Sequence, residues 1–458
     1  MKKLLLVVPN FRWSDADENA LWHYVPYNLC LLASCVRDIC DVTILDAYKQ
    51  GLTQAQFADR LAGLNPNIVG VTAMMDKYGP SAHTAARIAK EHGATTIIGG
   101  VYATVNTEQA AADPNVDTVV KGEGERVLRD YLLGNTSGKI LVAGRVNNLD
   151  AIPLPAYDLI EYADYTVSAP RKSVDRPAAL PYARMLTSRG CPFGCVFCQV
   201  EQIAGKQFRA RSVDNVLNEM EWLRDRHGIK SLMFDDDNML IDRQRAIALF
   251  NGMVERGLTM PWVMTATAAF KLNEELVAAM AASGCVYVDI AIESGTDRVL
   301  HEIIRKPLDL GKAKDVVRML QAAGIYVAAN VILGFPSETW DEIRTTLDYA
   351  DKLGADYTKV FAAIPLRNTR LWDMCREQGA FKDGFNSASQ WSAGQIETKH
   401  FKANDLTILR AYEWDRINFS DAAKRKRTCE RMGVSECDLM QTRRSTLANA
   451  LREVSNHQ

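Results

Sequence analysis

The sequence predicts an α/β protein with two successive parallel-sheet arrays and a small helical C-terminal extension. Three observations carry that expectation. Residues 1–135 alternate short apolar runs with amphipathic segments, the rhythm of a doubly wound parallel sheet. From Ala183 to about Cys375, six apolar strands alternate with helices at intervals of roughly 25–40 residues, which closes into an eightfold barrel or part of one. Between them, Pro153, Pro155, Pro170, Pro177 and Pro181 interrupt any periodicity. The expected domains are therefore 1–135, a linker over 136–182, a barrel over 183–375 and helices over 376–458.

In the first array Leu4–Val8 reads as a strand and Asn28–Ile39 as a helix. Val42–Leu45 is a strand and Thr53–Leu61 a helix. Ile68–Val71 and Thr96–Ile98 are strands with the helix Ser81–Glu91 between them. Val116–Val120 is the last strand and Glu123–Tyr131 the last helix. Such sheets bind ligands beyond the carboxyl ends of their strands. Here those loops are Pro9–Asp15, Thr72–Pro80, Gly99–Thr104 and Lys121–Glu125. Gly99-Gly100 directly follows a strand, so it either admits a large flat ligand close to backbone or makes a tight turn.

The barrel strands are placed at Arg184–Ser188, Ser231–Phe234, Trp262–Thr267, Val286–Ile292, Tyr326–Leu333 and Thr358–Ile364. Ser212 suits the cap of a helix carrying Val216, Met220 and Leu223, with Gly228 past its end. Thr339-x-x-Glu342 has the spacing of a capping box. In the tail, Leu406–Phe419 and Ser445–Val454 carry helical apolar faces. The run Ala423-Lys424-Arg425-Lys426-Arg427 reads as a solvated helix face, since five residues make a poor nucleic-acid patch.

Composition narrows the class. The chain has 458 residues, 47% of them hydrophobic and 24% charged, enough for large buried cores. A net charge of −2 offers no basic field for nucleic acid or anionic lipid. No apolar run is long enough to span a membrane. Met1–Pro9 is too short for a signal peptide and reads as a buried strand. Seven of the ten cysteines (Cys30, Cys35, Cys40, Cys285, Cys375, Cys429 and Cys437) are scattered, as expected of reduced thiols in a cytoplasmic protein.

The other three form Cys191-x3-Cys195-x2-Cys198, on a loop containing Gly190, Pro192 and Gly194. Three thiolates can ligate three irons of a four-iron cluster and leave the fourth open for chemistry. Buried apolar cysteines and a zinc site are the competing readings, but zinc normally takes four ligands and no histidine lies nearby. The loop, with Phe197 before its last cysteine, resembles the signature of the radical S-adenosylmethionine (SAM) superfamily. The resemblance implies a partial (β/α)6 barrel carrying a 4Fe-4S cluster held by Cys191, Cys195 and Cys198. The open iron would bind SAM, whose reductive cleavage yields a 5′-deoxyadenosyl radical.

The strand ends extend the resemblance. Strand two ends in Asp235-Asp236-Asp237-Asn238, three adjacent acids that need a cation unless they form a solvated turn. The family pattern aligns Asp236 and Asp237 with acids that hold the SAM ammonium. Ile292-Glu293-Ser294-Gly295 resembles a run that contacts ribose and methionine, implying roles for Glu293 and Ser294. Arg305 and Lys306 either pair with the methionine carboxylate or end a basic helix. Gly334-Phe335-Pro336-Ser337-Glu338-Thr339 resembles the family turn under adenine, shaped by Gly334 and Pro336, with Glu338 starting the next helix. Ile364 would frame adenine.

The first array resembles the cobalamin-binding, Rossmann-like domain that precedes the radical domain in one large class of these enzymes. Leu45-Asp46-Ala47, Gly99–Thr104 and Lys121–Glu125 carry the likeness. Cobalamin contacts are implied for Thr72, Gly99, Gly100, Tyr102, Thr104, Gly122 and Glu123. The chain departs from the class at Tyr102, often His, and at Pro26-Tyr27-Asn28, commonly Pro-Leu-Gly. Both departures put bulk near the expected ligand face.

Two radical reactions follow from the resemblance. One is cobalamin-dependent methylation of an unactivated carbon in a small biosynthetic intermediate. The other is dehydration, deoxygenation or cyclisation, for example on a sugar diol, with an empty first domain. A cluster-bearing electron carrier is disfavoured, because carriers usually shield the cluster with four thiolates. The implied partners are a small-molecule substrate and a one-electron reductant, flavodoxin- or ferredoxin-like or a dedicated reductase.

Overall fold

A computed structural model describes residues 1–14, 24–168, 173–385 and 393–455. Asp15, at the end of the first candidate loop, and Pro170 lie outside the described residues. The chain divides into two compact units. Unit one comprises residues 1–170, 200–205 and 209–211; unit two comprises 171–199, 206–208 and 212–458.

Unit one is built on strands β1 (Lys2–Val8), β2 (Cys40–Asp46), β3 (Ile68–Thr72), β4 (Thr95–Gly99), β5 (Thr118–Lys121) and β6 (Ile140–Val142). They form one parallel sheet in the order β2-β1-β3-β4-β5-β6. Every residue of β3 is buried, as a central strand covered on both faces requires. The order reverses at β1, which pairs with β2 on one side and β3 on the other, so the crevice lies beyond Val8 and Thr72. Covering helices include Tyr27–Val36, Gln54–Leu64, Gly79–Glu91 and Gly124–Leu133. The helix Gln54–Leu64 starts in a capping box between Thr53 and Gln56. Strand β6 lies in the segment expected as linker; three residues are too few to reveal a period, and two of them are exposed. A two-residue strand, β9 (Arg209–Ala210), also belongs to this unit.

Unit two contains β7 (Tyr182–Met185), β8 (Ser188–Arg189), β10 (Ser231–Phe234), β11 (Trp262–Thr267), β12 (Cys285–Glu293), β13 (Tyr326–Leu333) and β14 (Tyr357–Ala362). The sheet order β14-β13-β12-β11-β10-β7 follows the chain, every pairing is parallel, and β7 and β14 are its two edges. This is the six-unit partial barrel. The expected caps are present: Ser212 accepts from Asn215 N, Gly228 is left-handed, and Thr339 and Glu342 form the box. The first strand ends earlier than expected, at Met185, because the Thr187 N–H donates to the Asp236 carboxylate, 3.1 Å away.

The tail begins at the carboxyl end of the sheet and continues towards its amino end. A Cβ on Gly334, just after β13, would meet Leu406. The helix Ala403–Phe419 then runs along edge strand β14. Asn418 accepts from Thr358 N and donates to Thr358 O, both at 2.7 Å, and Arg410 donates to Val360 O at 3.1 Å. This covers backbone groups that an edge leaves open. Phe419, Met432 and Leu439 share a core with Tyr182, Val263, Tyr287 and Tyr357, which lie near the amino ends of their strands. The basic run lies on the helix Ala422–Met432, with Lys426 and Arg427 exposed, whereas half-buried Lys424 and Arg425 donate to Ile417 O and Phe419 O, so only part of the run is a solvated face.

Asn418→Ala strands the buried Thr358 amide. The substitution is expected to destabilise unit two by about 1–3 kcal/mol, read as a lower denaturant midpoint, whereas an unchanged midpoint would show that the edge needs no side-chain cover.

Candidate functional site

The cysteine loop starts where Asp236 and Asp237 grip the chain. Asp236, at the end of β10, accepts from Thr187 N at 3.1 Å, from Thr187 Oγ1 at 2.8 Å and from Ser188 Oγ. Asp237 accepts from Gly190 N at 3.0 Å. Gly190, at φ 87°, then turns the chain into Cys191. Further on, Val196 donates to Ile304 O at 3.2 Å and accepts from Leu371 N at 2.8 Å. The Cys198 N–H closes a turn onto Cys195 O at 3.0 Å. All three cysteines are partly buried, and a Cβ at Gly194 would meet nothing within 4 Å.

Burial pushes the Cys191 and Cys195 thiols up, so loading iron releases protons. Among the described residues, no three His, Cys, Asp or Glu side chains converge to hold a single metal ion. A cubane asks for something different, because each thiolate ends on its own iron. Three thiols outside any disulfide, on one half-open loop, fit that demand.

The acids revise the expected SAM contacts. Asp236 is buried, and its oxygens are occupied by Thr187 and Ser188 rather than facing the barrel mouth. Burial raises its carboxyl while those donors oppose the shift. Asp235 is paired with the Arg184 guanidinium, one contact being 2.7 Å. The solvated turn is ruled out by this burial, and Asp236 and Asp237 hold the cysteine loop in place.

Glu293 sits at a register shift between β12 and β13, with φ 70°, an uncommon backbone state for a non-glycine residue. Its Oε1 accepts from Lys306 Nζ at 2.8 Å, and both side chains are buried. Lys306 lies close enough to favour the thiolates of Cys191 and Cys195. Arg305 is exposed, so the two basic residues part company. They follow a π-helix, Val299–Ile304, whose last carbonyl receives the cysteine loop. The sequence pattern carried no signal for that π-helix. Ser294 Oγ lies 3.1 Å from Thr346 Oγ1, so its hydroxyl is held by the neighbouring helix rather than aimed at a ligand. A Cβ on Gly295 would lie 2.6 Å from Tyr349 Cβ, so helix packing requires this glycine.

After β13, Gly334 (φ 89°) and Phe335 both donate backbone N–H groups to Glu338 Oε2, at 2.7 and 2.9 Å. Glu338 therefore clamps the turn carrying Pro336, a role beyond starting the next helix. The Phe335 ring is tilted against Phe197, 6.0 Å between centroids. Ile364 is buried just past β14. Among the described residues, the buried acceptors of this unit without a partner include Asn238 Oδ1, Thr267 Oγ1 and Asn330 Oδ1. They belong to the end of β10, the end of β11 and the middle of β13. Unpaired buried acceptors of this kind suit a polar ligand that brings donors, and SAM has an ammonium and ribose hydroxyls.

In unit one the candidate contacts divide. Gly99 is open: a Cβ there would meet nothing nearer than Val120 Cβ at 3.9 Å. The exposed Met74 follows β3 at the same carboxyl end. This open strand end fits a macrocycle. Gly100, at φ 89°, is needed by the protein itself, since a Cβ would come within 2.7 Å of Thr72 Oγ1. Thr72 Oγ1 also accepts from Asn28. Thr104 Oγ1 donates to Gly100 O and accepts from Gly122 N, tying two loops together. Glu123 is buried and bidentate with Arg209, at 2.9 and 2.5 Å, so it is an internal anchor. Tyr102 is buried against Gly79, and its hydroxyl meets His83 Nε2 at 2.9 Å, with Asp113 on the other ring nitrogen. Its bulk is absorbed in the core.

Known proteins match this arrangement. The B12 binding domain family matches residues 20–132, and the Radical SAM superfamily matches residues 185–350. A methyltransferase of Pyrococcus horikoshii, itself uncharacterised, is 32% identical over 81% of this chain and 82% of its own. The cytidylyl-2-hydroxyethylphosphonate methyltransferase of Streptomyces wedmorensis is 29% identical over 74% of this chain and 75% of its own. The cobalamin-dependent SAM radical enzyme OxsB, solved with aqua-cobalamin and SAM, superposes with a TM-score of 0.73 at 16% identity, covering 98% of this chain and 72% of that one. The SAM methyltransferase TsrM from Kitasatospora setae, with cobalamin and a 4Fe-4S cluster, gives 0.63 at 18% identity, covering 79% and 72%. Both superpositions establish the fold.

Burial pushes the Glu338 carboxyl up to about 8, although two backbone donors favour its charge. Between its ordinary value of 4.5 and about 8, the folded chain binds more protons there than the unfolded chain. Glu338 therefore makes stability fall as pH rises through that window. Urea midpoints of the apoprotein from pH 5 to pH 9 are expected to decline less steeply in Glu338→Gln. Parallel slopes would mean that another group titrates.

Proposed function

Because this chain belongs to the cobalamin-binding radical SAM enzymes, we propose that it methylates an unactivated carbon of a small-molecule substrate. The family's cofactors are a 4Fe-4S cluster, SAM and cobalamin. Together they supply a hydrogen-abstracting radical and a transferable methyl group, the part of the reaction that no side chain can provide.

The reading rests on similarity to methyltransferases that spans both the B12-binding and the radical segments of the chain. The competing reading, dehydration or cyclisation above an empty first domain, drew on the bulk of Tyr27 and Tyr102. Of the two, the Tyr102 ring is spent on Gly79 and His83, and Tyr27 is half-buried at the start of its helix.

On this proposal the residues bind and orient. Cys191, Cys195 and Cys198 hold the cluster, and Asp236 and Asp237 fix their loop. The Glu293–Lys306 pair presents a matched charge beside the cysteines. Gly334, Pro336 and Ile364 give adenine an apolar seat, with Phe197 near Phe335. Gly99 leaves room for the macrocycle.

Atom balance sets the products. Exchanging a substrate hydrogen for methyl uses one SAM as methyl donor, leaving S-adenosylhomocysteine. A second SAM takes the hydrogen atom and leaves as 5′-deoxyadenosine and methionine. Two electrons enter from an external reductant.

Anaerobic, reduced and reconstituted protein incubated with SAM is expected to form S-adenosylhomocysteine only when cobalamin is present. Formation of 5′-deoxyadenosine without any cobalamin-dependent S-adenosylhomocysteine would point instead to the dehydratase or cyclase class.

A further inference from the structure

The inner face of the unit-two sheet changes chemistry part-way along its strands. The opposite face carries Phe234 and Trp262, which pack on Phe250 of the helix Arg243–Glu255. The inner face begins with Tyr182, Met233, Val263, Tyr287, Ala328 and Tyr357, all buried, and the tail residues Phe419, Met432 and Leu439 close on them. Side chains alternate along a strand, so the residue two further on faces the same way. Those residues are Arg184, Asp235, Thr265, Asp289, Asn330 and Lys359, one per strand with Asp235 immediately past β10, and none of them is apolar. The register agrees: Met233 pairs with Arg184, Ala328 with Asp289, and Asn330 with Lys359. Five of the six are half-buried, whereas Ala183, Met264, Val331 and Val360 on the helix-covered face are buried. The inner face therefore stays open above the tyrosines.

Barrel interiors are ordinarily filled with branched apolar side chains. Here Arg184 pairs with Asp235 at 2.7 Å, and Lys359 donates to Asp289 at 2.8 Å and to Asp175 at 3.0 Å. The Tyr287 hydroxyl donates to the other Asp289 oxygen at 2.8 Å. Three carboxylates thus face two cations, and Asn330 adds an oxygen with no partner. The layer is rich in acceptors. It lies four or five residues before Glu293, Gly334 and Ile364, about 13–17 Å along extended strands, and so below the expected SAM contacts.

We propose that this layer is the recognition surface for the substrate, with Asn330 and Lys359 as specificity-determining residues, and that the substrate is a small molecule carrying several hydroxyls, with or without an amine. The inference rests on the reading that the chain acts on a small molecule. Hydroxyls donate to carboxylates and to the Asn330 oxygen, and accept from Arg184 and Lys359. An anionic ligand meets a carboxylate beside each cation. A flat apolar ligand strips water from the ion pairs and offers no hydrogen bond in exchange. A purely structural role for the Lys359 bridge leaves the open face and the unpaired Asn330 oxygen unexplained.

The test is equilibrium dialysis of the reconstituted protein with cobalamin and SAM, left unreduced so that no turnover occurs, against labelled D-glucosamine, phosphonoacetate and indole. Glucosamine is expected to bind most tightly, and about fivefold more weakly in Asn330→Leu and in Lys359→Met. Asn330→Leu discards an acceptor that the protein does not use, so its denaturant midpoint is expected to stay level or rise. If Lys359→Met fails to fold, Asn330→Leu decides alone. The proposal is overturned by no binding of glucosamine, by tighter binding of phosphonoacetate or indole, by binding unaltered in either folded variant, or by a lowered midpoint in Asn330→Leu. Dialysis reads binding alone, so a failure to form S-adenosylhomocysteine would remove the methyl-transfer reading and leave this one standing.

Discussion

The Asp236 carboxylate, buried at the end of β10, fixes where the cysteines stand. It accepts from Thr187, just before β8, and from Ser188, the first residue of β8. Removing a carboxylate from water costs several kcal/mol even after the protein relaxes. Hydrogen bonds to a charged group return ~1.5–3 kcal/mol each. With three donor groups the two sides nearly cancel, so the arrangement specifies position rather than adding stability. A cluster with one iron left open needs that specification: three thiolates must meet three irons, and nothing else in the chain must reach the fourth.

The same economy of position recurs around the sheet mouth. The left-handed Glu293 at a register shift, the π-helix before Lys306 and the Glu338 clamp on the Gly334 turn are all local departures from regular backbone. Such departures cluster where a scaffold must aim groups at a ligand. Regular structure carries the rest, with helix Ala403–Phe419 sealing the β14 edge and the tail filling the amino end of the sheet.

Much of this was legible in the sequence. The strand–helix rhythm placed both sheets, and the caps at Ser212 and Thr339 formed where their spacing required. The cysteine spacing and the strand-end runs marked the site region. What stayed hidden depends on long-range partners. Glu123 resembled a ligand contact until Arg209, far along the chain, closed on it. Tyr102 resembled an obstruction until Gly79 made room for it. Ser294 read as a contact to the amino acid until Thr346 claimed its hydroxyl. Asp236 read as an ammonium site because three adjacent acids suggest an external cation, whereas the donors come from the protein. Strand β6 was missed because three residues carry no period.

The central claim is that one iron corner of the cluster is kept open for SAM. EPR of the dithionite-reduced, reconstituted protein, recorded with and without saturating SAM, tests it most directly. A change in the cluster g-values on adding SAM is the predicted result. A fully loaded four-iron cluster whose spectrum ignores SAM would contradict the account.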